Sequence, residues 1–391
     1  MKKSKSPLLI LLISLIIIGF VFISIASLTE GNSTIGDKYF FIKKQSIWLV
    51  LGFICFFISS KIKLDFVKKF SFLLYGASIV GLILVLIPGF GNEALGAKRW
   101  LNLGFTSIQP SEILKLTSII YFSYLFSKEE KKNIKTLVVY LAIPFILIII
   151  EPNLSMALLI SIIVCSIYYL SGGDIVPLFF ISLFVLVISI PLIFLSPYRS
   201  ARFKTFISPE QNQEGSSYHS NQIVLALASG GMFGKGFANS DQKYKFLPKI
   251  STDSILAVIG EEMGFIGLFV ILLIYVSLIN YLFKLSKILT DPFQSLLVSA
   301  VACWIAYQSL INIAAIVAAI PLTGVPLPFI SYGGSSLLTL LTAMGLIRNV
   351  EKNNQSLLYS DSDNENKNQK NNHHRHPLNS RSGTNSTVTR R

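Results

Sequence analysis

Long apolar runs separated by short polar segments are the feature that most restricts how this chain can fold. A helix of about 20 apolar residues is long enough to cross the hydrocarbon core of a bilayer. With 52% hydrophobic residues, only 14% charged residues and a mean hydropathy of +0.61, the composition is not that of a soluble domain. We therefore predict an all-α polytopic integral membrane protein with about ten transmembrane helices. The predicted spans are residues 7–28, 46–60, 70–88, 109–127, 136–151, 154–171, 175–195, 254–283, 293–317 and 335–348.

The basic residues indicate the orientation of these spans. Loops on the cytoplasmic side carry an excess of Lys and Arg, and long loops count little in this rule. Both termini are therefore predicted to be cytoplasmic, with a large extracytoplasmic loop, residues 196–252, between helices 7 and 8. The same distribution explains most of the net charge of +14, so we expect no nucleic-acid partner. The loops expected inside contain Lys61, Lys63, Lys68, Lys69, Lys128, Lys131, Lys132, Lys135, Lys284 and Lys287.

The chain divides into two parts. Residues 1–350 hold the ten predicted spans and form the membrane domain. The first run follows Lys2, Lys3 and Lys5 and is longer than the core of a signal peptide, which favours a transmembrane helix over a cleaved signal. Residues 351–391 are Asn-rich and polar, and they are predicted to be a disordered cytoplasmic tail.

A lone acid, Asp253, stands where the long polar loop meets the eighth apolar run. A carboxylate at this boundary between water and lipid could do chemistry on a lipid head group. Alternatively, Ser251, Thr252 and Asp253 only cap the helix that follows, as Ser, Thr and Asp commonly do. The residues alone leave both interpretations open.

The fourth apolar run contains two ionisable residues, Glu112 and Lys115. Because they are three positions apart on a helix, they share a face and can form an ion pair. An ionisable residue inside a span is costly and usually marks a functional site. Lys115 is therefore predicted to be a cation that lines a water-filled, outward-opening cavity. The alternative is a structural ion pair that only fixes helix packing.

Two further outer segments are informative. Residues 89–109 are glycine-rich and contain Lys98 and Arg99 beside Trp100, which could hold a phosphate at head-group level or serve as ordinary interfacial anchors. Residues 312–336 combine prolines and glycines with apolar residues, so they cannot form a continuous helix. Irregular backbone at membrane depth is tolerated only where protein or a cavity covers it.

Several ordered motifs resemble one known family. They resemble the shape, elongation, division and sporulation (SEDS) family of membrane proteins over about residues 7–350. One departure is Pro-Lys-Ile-Ser-Thr-Asp at 248–253, where many members have Pro-Glu-Ala-His-Thr-Asp. The motifs are Gly-Ala-Lys-Arg-Trp-Leu-Asn-Leu-Gly at 96–104, Gln-Pro-Ser-Glu at 109–112, Lys115, Phe-Leu-Pro at 246–248, Thr-Asp at 252–253, Gly-Glu-Glu at 260–262 and Pro-Leu-Pro-Phe-Ile-Ser-Tyr-Gly-Gly-Ser-Ser at 326–336.

This resemblance implies a peptidoglycan glycosyltransferase. Such an enzyme polymerises lipid II, the undecaprenyl-pyrophosphoryl disaccharide pentapeptide, on the outer face of the bacterial cytoplasmic membrane. It works with a class B penicillin-binding protein that supplies the transpeptidase. The essential acid of the family falls on Asp253, its fourth-span Glu and Lys fall on Glu112 and Lys115, and its loop arginine falls on Arg99.

The resemblance also suggests a mechanism. Asp253 would be the general base of an inverting reaction, and Lys98, Arg99 and Lys115 would stabilise the pyrophosphate leaving group. Arg202 could serve a second phosphate site. A divalent cation, Mg²⁺ or Mn²⁺, could assist with Glu112 or Asp253 as ligand, and no organic cofactor is expected.

Motif details favour the division branch of the family over its elongation branch, and hence a location at the septum with other division proteins as partners. A lipid II flippase and a scaffold that only recruits the penicillin-binding protein are the alternatives from other functional classes. Loss of Asp253 should be better tolerated in either of them than in a polymerase.

Overall fold

The structure is a computed structural model. It describes residues 6–34, 36–94, 97–102, 104, 106–128, 133–195, 197–207, 216–240, 252 and 254–355. The side chains of residues 29, 32–34, 92–94, 97, 98, 197, 198, 216–218 and 220 are also outside the description. The predicted disordered tail falls almost entirely outside the described residues, so that prediction stays open.

Twelve helices lie within the described residues, and ten of them overlap the ten predicted spans. Six are long and apolar enough to cross a membrane, and α5 and α6 are apolar but shorter. The chain is therefore a multi-pass membrane protein, while the count of ten spans stays a prediction. The helices are α1 Pro7–Thr34, α2 Phe40–Ser59, α3 Leu64–Leu86, α4 Pro110–Ser127, α5 Ile134–Ile150, α6 Leu154–Leu170, α7 Ile175–Phe194, α8 Pro197–Ile207, α9 Ser216–Gly230, α10 Ile255–Ile288, α11 Pro292–Ile316 and α12 Gly334–Asn353.

A small antiparallel sheet departs from the all-α prediction. Strands β1 Gly91–Ala94, β2 Ala97–Asn102 and β3 Ser107–Ile108 lie in that order between α3 and α4. We call this end of the helix bundle the sheet end. The other end, where α1 begins and α12 ends, is called the opposite end. The other departure is that α8 and α9 are helices within the predicted long loop.

The central helix of the bundle is α11, and its sequence suits that position. Small residues line much of its length, including Ser299, Ala300 and Ala302, all of them buried. Small side chains allow neighbouring helices to approach closely, which is how membrane helices gain packing energy. Helices α4, α6 and α10 pack around it.

Helices α2 and α12 also make a close approach. A Cβ atom on Gly345 would collide with the hydroxyl of Ser59 and the carbonyl of Phe56, so only glycine fits there. The Ser59 hydroxyl donates to the Thr342 carbonyl at 3.0 Å, and Asn349 Nδ2 donates to the Ser59 carbonyl at 3.2 Å. These bonds fix the two helices at the opposite end.

The long helix α10 is kinked at Gly264, where φ is 67°. A side chain at this position would collide with the backbone of Met232 and Gly234. Neighbouring loop residues satisfy the backbone groups freed by the kink, because Phe265 N donates to Gly231 O and Lys235 N donates to Glu261 O, both at 2.9 Å. The loop after α9 therefore fixes the direction of the first three turns of α10.

Candidate functional site

A polar cavity of about 380 Å³ opens at the sheet end. Its wall includes residues from α1, α2, β2, β3, α4, α6, α8 and α12, and from the segment between α11 and α12. Among the described residues, five charged side chains line it, and three of them are cations. The charged lining residues are Glu30, Lys44, Arg99, Glu112 and Arg202.

Glu112 stands in the cavity wall at the start of α4. Pro110 occupies the first turn, where backbone N–H groups make no hydrogen bond within the helix. The acid Glu112 suits the same turn because the N-terminal end of a helix is its positive end. Lys115 Nζ lies 2.9 Å from Glu112 Oε2, donates to Gln308 Oε1 at 2.9 Å and lies 4.9 Å from the Trp304 ring centroid. Glu112 is therefore paired with a buried cation, and the described charged residues of the cavity wall carry a net positive charge.

Lys115 itself is buried and is not among the described residues that line the cavity. The ion pair predicted with Glu112 is present. The predicted position on the cavity wall is not, because Lys115 lies almost one turn further along α4 and its side chain turns inward against α11.

Gln308 links this ion pair to the far wall of the cavity. Its Nε2 donates to the Pro326 carbonyl at 2.8 Å, while its Oε1 accepts from Lys115. One turn along α11, Asn312 Nδ2 donates to the Val325 carbonyl at 2.9 Å. Val325 and Pro326 both line the cavity, so α11 supplies the hydrogen bonds that this irregular backbone requires at membrane depth.

Arg99 reaches the cavity from β2. Its Nε donates to the Glu151 carbonyl at 3.2 Å and its Nη2 to the Pro152 carbonyl at 2.5 Å. These bonds tie the guanidinium to the turn between α5 and α6. The charge of Arg99 is thus held at a fixed place in the wall rather than on a freely rotating side chain.

Arg202 projects from α8 on the same side of the cavity. Its Nη1 donates to the Leu322 carbonyl at 2.8 Å. Arg99 and Arg202 also line a second chamber of about 220 Å³, together with Arg199. Sequence reasoning grouped Arg99 with Lys98 and placed Arg202 at a separate phosphate site, whereas the structure brings the two arginines to one wall shared by both chambers.

Two predicted residues are not fully covered by the structure. Asp253 lies outside the described residues, and of Lys98 only the backbone, in β2, is described. Thr252, which precedes Asp253 in the sequence, lines the cavity. The functional roles predicted for Asp253 and Lys98 therefore remain predictions.

The described residues do not form a metal site by themselves. No group of three or more His, Cys, Asp or Glu side chains among them is close enough to hold an ion. Glu112, the predicted ligand that is described, is already paired with Lys115.

Comparison with known proteins decides the family. Residues 6–356 match the model of the FtsW/RodA/SpoVE family, described as "Cell cycle protein". The chain belongs to the FtsW/RodA/SpoVE family. The resemblance predicted from the motifs is therefore confirmed.

Relatives within the FtsW/RodA/SpoVE family align along most of the chain. The chain is 35% identical to a "Probable peptidoglycan glycosyltransferase FtsW" of Wigglesworthia glossinidia brevipalpis, over 87% of this chain and 91% of the relative. It is 33% identical to "Stage V sporulation protein E" of Bacillus subtilis, over 90% and 98% of the two chains.

Solved structures show the same fold. A chain in "Structural coordination of polymerization and crosslinking by a peptidoglycan synthase complex" matches with a TM-score of 0.73 and 25% identity, over 90% of this chain and 99% of that chain. Rod shape determining protein RodA of Thermus thermophilus matches with a TM-score of 0.66, over 90% and 97% of the two chains, and at 23% identity it supports the fold alone.

One FtsW/RodA/SpoVE motif proves to be structural within the described residues. Glu261 and Glu262, of the Gly-Glu-Glu motif, are buried and are not among the described residues that line the cavity. Glu261 pairs with Lys235 at 2.9 Å, and Glu262 accepts from Ala238 N at 2.9 Å. The motif therefore anchors the loop that supports the kink in α10.

The contribution of α1 and α2 to the cavity was not predicted from the sequence. Glu30, Lys44 and Trp48 all line it. The available signal was an isolated acid at the end of the first apolar run, facing a basic start of the second. Only the packing of α1 and α2 against the segment before α12, at Gly19 beside Phe329 and Phe41 beside Tyr332, shows that these residues reach the site.

Proposed function

We propose that the chain is a peptidoglycan glycosyltransferase that polymerises lipid II into glycan strands, with the cavity at the sheet end as its active site. One observation carries this proposal. Residues of family motifs that are far apart in the sequence, including Arg99, Glu112, Thr252 and Ser336, line a single cavity whose described charged residues are three cations and two acids. Such a cavity suits a diphosphate attached to a sugar and a lipid.

Asp253 acts as the general base in this proposal. It removes the proton of the acceptor's GlcNAc 4-hydroxyl as that oxygen attacks the donor's anomeric carbon. The bond from the anomeric carbon to the diphosphate oxygen breaks, and undecaprenyl diphosphate leaves with the bonding electrons. Because attack and departure occur on opposite faces, the configuration is inverted.

Arg99 and Arg202 stabilise the departing diphosphate. Guanidinium groups present several N–H donors in a rigid plane and remain charged, so one guanidinium can bind two phosphate oxygens at once. Their backbone anchors at Glu151, Pro152 and Leu322 set the positions of both groups before the substrate arrives. Such prior orientation is what makes electrostatic stabilisation effective. Lys98 is a further candidate for the same diphosphate.

Lys115 acts indirectly in this proposal. It neutralises Glu112, and through Gln308 it is linked to the cavity wall at Pro326. Its contribution is therefore to the shape and charge of the cavity. A magnesium or manganese ion would need the substrate diphosphate and either Glu112 or Asp253 as ligands. It would supply further positive charge to the leaving group, and the steps above do not require it.

We also propose where the chain works and with which partners. The chain works in the bacterial cytoplasmic membrane with both termini inside and the cavity outside, at the division septum. Its partner is a class B penicillin-binding protein, together with other division proteins. The FtsW names of several relatives and the solved synthase complex support this setting.

The direct test uses purified chain with and without its penicillin-binding protein, supplied with lipid II and a divalent cation. Glycan products are compared for wild type, Asp253→Ala and Asp65→Ala. Asp65 is an exposed acid at the opposite end and serves as the control. We expect polymer from wild type and Asp65→Ala and none from a folded Asp253→Ala chain. Equal polymer from all three would remove Asp253 from the mechanism. No polymer from any, even with the partner, would favour the flippase or scaffold alternative.

A further inference from the structure

A buried glutamate, Glu151, lies beside the cavity and has no role in the mechanism above. It occupies the turn between α5 and α6, its side chain is 0% exposed, and neither carboxyl oxygen has a hydrogen-bond partner among the described residues. An ionised carboxylate without partners is very costly to bury, whereas the neutral acid is much less so. The environment of Glu151 therefore favours the protonated form.

Two cations face this turn from the elements packed against it. From β2, Arg99 donates to the backbone carbonyls of Glu151 and Pro152. From α8, Arg199 Nη2 donates to the carbonyl of Ile149, two residues earlier, at 3.2 Å. Arg99 thus binds backbone carbonyls of the turn and Arg199 binds one in the last turn of α5, so the Glu151 carboxyl is left as a separate group close to the charge of Arg99.

Burial raises the pKa of the Glu151 carboxyl to about 8, although the positive charge of Arg99 lowers it. The carboxyl is therefore mostly neutral at pH 7 and mostly ionised at pH 9. Arginine stays protonated over this range. Ionisation of Glu151 thus places a negative charge beside Arg99.

We propose that Glu151 is a positioning residue for the substrate diphosphate: as a neutral acid it leaves the charge of Arg99 directed at the cavity, and as a carboxylate it offsets that charge. The inference rests on the proposed function, because it takes the diphosphate of lipid II as the ligand. The internal diphosphate of lipid II, bonded to a sugar and to a prenyl chain, does not change its charge between pH 6.5 and 9. A loss of affinity in this range therefore reports on the protein.

The experiment measures binding of lipid II to the purified full chain at pH 6.5, 7, 8 and 9. Wild type is compared with Glu151→Gln, which keeps the shape of the neutral acid, and with Glu351→Gln, a matched change of a buried glutamate at the opposite end. We expect the wild-type dissociation constant to rise about tenfold between pH 7 and 9, equivalent to about 1.4 kcal/mol. Glu351→Gln should follow wild type, and Glu151→Gln should change less than about twofold.

A second measurement keeps the inference testable if a variant does not fold. Infrared spectroscopy of wild-type protein should show the C=O band of a protonated carboxylic acid at pH 7 that is lost above about pH 8. Parallel loss of affinity in wild type and Glu151→Gln, a flat wild-type profile, or no such band would overturn the inference. Binding that follows the expected profile without any polymerisation would instead contradict the proposed function and leave the role of Glu151 standing.

Discussion

Two buried glutamates at the two ends of the bundle have opposite surroundings. Glu351, at the opposite end, accepts from the hydroxyls of Ser6 and Tyr281, each at 2.6 Å, and from Arg348 Nη1 at 2.5 Å. Glu151, at the sheet end, accepts no hydrogen bond within the part of the chain that the structure describes. The Glu351 carboxylate joins the start of α1 to α10 and α12, while the Glu151 carboxyl lies beside the cavity with no hydrogen bond from the residues that the structure describes. The Glu351 carboxylate stabilises the packing at the opposite end, whereas we infer that the neutral Glu151 leaves the charge of Arg99 available for a ligand at the sheet end.

The lysine pairs show the same contrast. At the opposite end Lys68 pairs with Asp291 at 2.8 Å, and their side chains are 23% and 31% exposed. At the cavity Lys115 pairs with Glu112 at 2.9 Å, and their side chains are 0% and 2% exposed. Water can replace a lost partner in the first pair but has little access to the second. The cost of breaking a pair should therefore depend on which end it occupies.

The largest expected effect comes from removing one partner of the buried pair. Lys115→Ala leaves the Glu112 charge buried and uncompensated, so we expect a loss of about 3–5 kcal/mol in the free energy of unfolding. Lys68→Ala should cost only about 1 kcal/mol because Asp291 stays partly hydrated. Thermal unfolding of both variants in the same detergent measures the difference. Equal losses would show that the two ends do not differ in this way.

A smaller effect is expected on substrate binding. Arg99→Ala removes charge-assisted hydrogen bonds of about 1.5–3 kcal/mol, so KM for lipid II should rise by roughly 10- to 100-fold. Arg99→Lys should recover part of this, because it keeps the charge but cannot bind two carbonyls as a planar group.

The matched control at the opposite end is Arg348→Ala, which removes one donor to Glu351 and should leave KM unchanged. Steady-state polymerisation kinetics distinguish these outcomes. A KM that responds equally to Arg99→Ala and Arg348→Ala would contradict the assignment of the cavity.

The smallest effect is a pH dependence of stability. Because burial raises the pKa of Glu151 to about 8, the folded state binds a proton that the unfolded state releases above its ordinary pKa of about 4.3. Glu151 should therefore lower the free energy of unfolding as the pH rises from about 4.3 to about 8. Between pH 6 and 7 the decrease should be up to about 1.4 kcal/mol. The melting temperature of wild type relative to Glu151→Gln should fall over this interval. A constant difference would mean that Glu151 does not titrate there.

The main architecture was predictable from the sequence because apolar runs of membrane length leave few alternatives to helices. The small sheet was not, since its strands have only four, six and two residues and lie in a glycine-rich segment. Helix α8 was also missed, because a short helix with a basic, amphipathic sequence does not differ clearly from a polar loop.

The site was only partly predictable, for a related reason. The Glu112–Lys115 pair follows from helical spacing alone, and the structure contains it. The inward position of Lys115 depends on Gln308, which is 193 residues away and contacts it only through the packing of α4 on α11. The lack of partners around Glu151 likewise depends on three-dimensional packing, which sequence spacing does not reveal.

The most direct test of the central claim is to locate lipid II on the protein. Electron cryomicroscopy of the Asp253→Ala chain with lipid II would trap the substrate before transfer. We expect density for the diphosphate at the sheet end, within hydrogen-bond distance of Arg99 and Arg202, with the sugars in the cavity between Glu112 and Pro326. A head group bound outside this cavity, with the arginines making no contact to phosphate, would contradict it.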